Sequence, residues 1–141
     1  MTRESQLDIK QYAAQQGAAR LDRVMYQTSR NRKAHDADAV HDLRVSIRRL
    51  GACLAVFRQF FPAKASKRAR KRFKEALALA GEVRDRDIAI DLARQAGLPA
   101  ERELVKTLVG QRAAYSKELR RLLKRWSKAS VAEKWRTRLK L

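Results

Sequence analysis

A chain of 141 residues with 34 Lys/Arg against 15 Asp/Glu carries a formal charge of +19, more than solubility requires and a self-repulsion that a bound polyanion relieves. Hydrophobic residues at 45%, with five glycines and two prolines, exclude a disordered basic tail. The single cysteine, Cys53, excludes an internal disulfide or a cysteine-based zinc site and fits a reducing, cytoplasmic setting.

Length predicts one domain, residues 1–141. The N-terminus lacks the apolar run of a signal peptide, and no spanning helix is predicted. Ser5 is the expected N-cap of a first helix running to about Thr28, with Leu7, Leu21, Val24 and Met25 on it. A polar connection, "SRNRKAHDAD", follows, and Asp36 or Asp38 caps the second helix. That helix carries Val40, Leu43, Ile47, Leu50, Leu54, Phe57 and Phe61 at alternating spacings of three and four, the seam a bundle buries. Pro62 ends it.

The third helix starts near Lys64 with Phe73, Leu77, Ala80 and Val83 inward, and Gly81 predicts a kink or break before a shorter segment with Ile88 and Leu92. "AGLP", residues 96–99, is a stop. A fourth helix is expected from Pro99 to Trp126, its seam formed by Val105, Leu108, Arg112, Tyr115, Leu119, Leu122 and Trp126. "SVAE", residues 130–133, reads as a capping box for a short last helix. The fold class is all-α: an antiparallel bundle of four long helices plus shorter segments.

Beside the second helix's apolar seam runs a stripe of His41, Arg44, Arg48, Gly51, Ala55 and Arg58. Like charges one turn apart cost about a few tenths of a kcal/mol, and no acid is interleaved. The stripe is either a solvated face or one wall of an anion site. "KASKRARKRFK", residues 64–74, holds seven basic residues, with Lys67, Lys71 and Lys74 on one face. Antiparallel packing of these two helices would border one groove with cations, which focuses potential on a polyanion. Arg112 sits inward in an apolar seam, so it either serves the fold, by pairing with Asp85 or Asp87 or snorkelling at the bundle end, or points into an anion-filled cavity. Asp85 and Asp87 fit capping or arginine pairing better than a metal site, and His35 and His41 match no zinc spacing. With no catalytic triad, Gly-rich phosphate loop or HExxH, neither an enzyme nor a cofactor is expected.

"VHDLRVSIRRLGACLAVF", with its His, an Arg three residues on and then an Arg pair, resembles the defining segment of the CHAD family, helical domains named for conserved histidines. "AGEVRDRDIAIDL" is similar to the family's Gly-x-x-Arg-Asp-x-Asp segment, and "QRAAYSKELRRLLKRW" resembles its next helix; the resemblance spans residues 36–126. It implies a non-catalytic bundle that binds inorganic polyphosphate through a basic surface, with His41, Arg44, Arg48 and Arg49 in the site. Arg84 and Arg112 are implied on the same surface, with Lys71 and Lys74 as additions from the third helix. Association with polyphosphate granules is a further expectation. Gly51 departs from the pattern, standing where the family usually has Arg or Lys. The chain is also about half the length of typical members, which are built of two related bundles, so a homodimer is expected to restore the pair. The alternative is a nucleic-acid-binding basic bundle, although no groove-reading motif is present.

Overall fold

The computed structural model describes residues 2–141, in which α1 (Arg3–Lys33), α2 (Ala37–Val56), a 3₁₀ turn (Arg58–Phe60), α3 (Ala63–Gln95), α4 (Glu103–Trp126) and α5 (Ala129–Leu139) follow one another. α1 packs on α2, α2 on α3, α3 on α4 and α4 back on α1, which closes an up-down-up-down four-helix bundle. No strand occurs among the described residues, and no helix is long and apolar enough to cross a membrane.

The expected α2 seam is the spine of the core. Val40, Leu43, Ile47, Leu50 and Leu54 are wholly buried against Leu21 and Val24 of α1, Ala76, Ala80 and Val83 of α3, and Leu119 and Leu123 of α4. α5 docks through Trp135, which meets Trp126 and Phe73 edge-to-face with centroids 5.2 and 5.5 Å apart. Aromatic pairs in that geometry contribute about 0.5–1.5 kcal/mol beyond their buried area.

Several boundaries differ from expectation, each for a local reason. α1 is capped by Thr2, whose Oγ1 accepts from the Ser5 amide at 3.2 Å, so Ser5 lies inside the helix. α1 also runs past Thr28 to Lys33, because its polar end is pinned rather than free. Asn31 is buried, and its Nδ2 donates to the Ala39 carbonyl of α2 at 2.9 Å. Asp36 caps α2 by accepting from the Ala39 amide at 2.8 Å. α2 itself stops at Val56, and the 3₁₀ turn carries the chain to the buried Phe61.

The break expected at Gly81 does not occur: α3 is one helix of 33 residues. A glycine costs a helix about 1 kcal/mol against alanine, less than packing on both α2 and α4 returns. α4 begins at Glu103 rather than Pro99, after a turn in which the Arg102 amide donates to the Pro99 carbonyl at 3.1 Å. Ser130 sits within α5, whose N-cap is Lys128 without a side-chain bond, so the capping box does not form.

Candidate functional site

α2 and α3 run antiparallel, and between them lies an open groove of about 880 Å³. Its floor is apolar, with Ile47, Gly51, Ala55, Phe73 and Leu77. Its rims carry Arg48 and Arg58 from α2 and Lys67, Arg70, Lys71 and Lys74 from α3. No carboxylate lines it among the described residues. The reason is visible in the chain itself: the thirty-two residues from Leu43 to Lys74 contain eleven Lys/Arg and no Asp or Glu. None of the ion pairs among the described residues uses a rim cation. These charges are held apart on two rigid helices over a low-dielectric floor, which strengthens their field in the groove.

One neutral group joins them. Ser66 is 5% exposed and lines the groove, and its Oγ has no hydrogen-bond partner among the described residues. A buried hydroxyl left unpaired is costly, and an anion oxygen in the groove would accept from it. At Gly51 an added Cβ would meet nothing within 4 Å. The residue is an opening in the groove's α2 wall, and no close approach requires glycine there.

Beyond the groove, toward the N-terminal end of α2, Arg44 and Arg84 face one another electrostatically. Desolvation, followed by the Arg48 and Arg84 charges, lowers the Arg44 guanidinium from its usual range, with Asp85 partly opposing. The Arg44 Nε is buried and has no partner among the described residues. Crowded cations of this kind favour a bound anion over mutual repulsion.

The remaining residues expected in the site lie elsewhere. His41 is exposed on α2 a turn ahead of Arg44 and does not line the groove. Arg49 turns toward α1, where it lines a small cavity of about 150 Å³ with Arg20 and Arg23. Successive helical residues are about 100° apart, so the Arg48–Arg49 pair is divided between two faces. Arg112 sits in a polar corner. Its Nε donates to Asp87 Oδ1 at 2.7 Å and its Nη2 to the His35 carbonyl at 3.0 Å, so of its two readings the structure has the ion pair with Asp87.

In that corner burial, reinforced by the Arg112 charge, pushes the His35 imidazole down from its ordinary value. Glu82 is paired with Arg86, and no group of three or more His, Cys, Asp or Glu gathers to hold a metal among the described residues. Ser66, Lys67, Arg70 and Arg58 line the groove but are not among the residues the resemblance implies; Lys67 stood on the α3 row expected to border it. Arg58 was legible as the end of the α2 stripe, and Arg70 as the residue three after Lys67 and four before Lys74. Ser66 carried no sequence signal.

Bundle and groove together define an all-α protein with one acid-free, cation-rimmed face. The family model of the CHAD domain matches residues 15–141, nearly the whole chain, and the chain belongs to the CHAD family. The match extends beyond the residues that carry the motifs, into most of α1 and all of α5. CHAD domains are associated in general with polyphosphate binding. No curated protein and no solved structure matches the chain.

Proposed function

We propose that this chain is a non-catalytic module that binds inorganic polyphosphate in the α2/α3 groove. The observation that carries the reading is the row of rim cations, unpaired among the described residues, around a groove that no carboxylate lines among those residues. Arginine forks at Arg48 and Arg58 suit bidentate contact with phosphate oxygens, and the lysines act as adjustable point charges. Binding by charge neutralisation releases counterions, so affinity falls steeply with salt. Competition tests the ligand class: polyphosphate displaces bound duplex DNA at equal phosphate concentration, and displacement of polyphosphate by DNA would favour nucleic acid instead. Release of orthophosphate from polyphosphate in the presence of Mg²⁺ would contradict the non-catalytic part.

Two finer readings accompany this one. The groove is open on one side, and a second copy would close it over the polymer, with the anion offsetting the repulsion of two +19 chains. Sedimentation that gives a monomer with and without polyphosphate rules out this dimer. The second reading is recruitment to polyphosphate granules, checked by imaging the tagged protein in cells with and without polyphosphate.

A further inference from the structure

α3 presents cations on more than the groove face. On its other flank, against α5, lies a second depression of about 650 Å³ lined by Lys64, Arg68, Lys71, Arg72 and Arg138, with Glu75 as its one acid. Lys64, Arg68 and Arg72 recur every four residues and share one face of α3. Lys71 lines this depression and the α2/α3 groove alike, so it forms a crest between them. None of the five cations takes part in an ion pair or a side-chain hydrogen bond among the described residues. α5 holds Arg138 in place because Trp135, one turn earlier, is locked against Phe73 and Trp126. The cations are therefore arranged on a fixed surface, not scattered on a mobile tail.

We propose that the α3/α5 depression is a second anion track, which accepts the overhang of a linear phosphate polymer already seated in the α2/α3 groove. Resting on the polyphosphate reading, this makes length selection a property of the fold. A short phosphate oligomer fills the groove alone. A long one crosses the Lys71 crest and gains the charges of Lys64, Arg68, Arg72 and Arg138 on the far side of α3.

The test is an affinity series with tripolyphosphate and long-chain polyphosphate on three proteins. These are the wild type, Arg68→Gln/Arg72→Gln/Arg138→Gln, and a control with the same charge loss, Arg94→Gln/Arg102→Gln/Lys106→Gln. All six side chains are exposed, and thermal melting verifies that both variants keep the fold. The track variant is expected to bind tripolyphosphate as the wild type does. It should lose about tenfold for the long polymer, and its log-affinity against log-salt slope should shrink by about two, as three fewer neutralised charges require. Equal losses for both polymers, no loss for either, or the same long-polymer loss in the control overturns the second track. Failure of the underlying reading is separable: wild-type protein that binds neither polymer removes the groove as well.

Discussion

Arg48 and Arg112 both stand on helices of one bundle, yet they live in opposite electrostatic regimes. Arg48 lies on a groove with cations on both sides and no carboxylate. Arg112 is matched by Asp87 and by the His35 carbonyl. The difference separates cations compensated within the chain from cations that are not, and on the proposed reading the latter meet the ligand. Where charge is compensated inside the chain, removing it costs stability. Where it is not, removing it should cost only affinity.

The largest stability effect is therefore expected in the corner. Arg112→Ala leaves the Asp87 carboxylate, 17% exposed, without its partner and should cost about 2 to 3 kcal/mol, the lower end for a partly buried pair. Denaturant unfolding measures it, and polyphosphate affinity well below the midpoint should be unchanged. An affinity loss with intact stability would break the comparison by moving Arg112 into the site.

A smaller effect sharpens the groove side. Gly51→Arg adds a cation where an added Cβ meets open space and replaces a weak helix former, so stability should rise by about 0.5 to 1 kcal/mol. Polyphosphate affinity should rise several-fold at low salt, read by calorimetry. An unchanged affinity would place the bound polymer away from that wall.

The smallest effect is the pH response of the corner. Folding holds His35 below its ordinary value, so the unfolded chain takes up the proton first as pH falls. The stability that rests on neutral His35 is complete above about pH 6.5 and is lost as the pH drops from there toward the folded-state value. Thermal unfolding should show a shallower decline in His35→Gln as the pH falls below about 6.5. Identical slopes would mean His35 is not held neutral by the fold.

The α2 seam was readable because burial repeats with the helical period, and the α2 cap because Asp36 stands directly ahead of it. The end of α1 was not, because "SRNRK" is polar enough to read as a loop. Only the arrival of α2 lets Asn31 bury and bond to Ala39. The continuity of α3 through Gly81 is likewise a tertiary effect that overrides a weak local preference. In the site, the α2 stripe and the α3 lysines were visible as periodic rows, and so was the possibility that they share a groove. The separation of Arg48 from Arg49 follows from helix geometry, but which of them faces α3 depends on the packing. Arg112 was marked as inward by its seam position. The partner that neutralises it came from the register of α3 against α4, which no local pattern specifies.

The account's central claim is that the uncompensated α2/α3 cations hold polyphosphate, and calorimetric titration of defined-length polyphosphate tests it most directly. Arg48→Ala/Arg58→Ala should keep wild-type thermal stability and lose about tenfold or more in affinity, as expected for removing two charge-assisted phosphate contacts. Binding by the double variant equal to that of the wild type would contradict the claim.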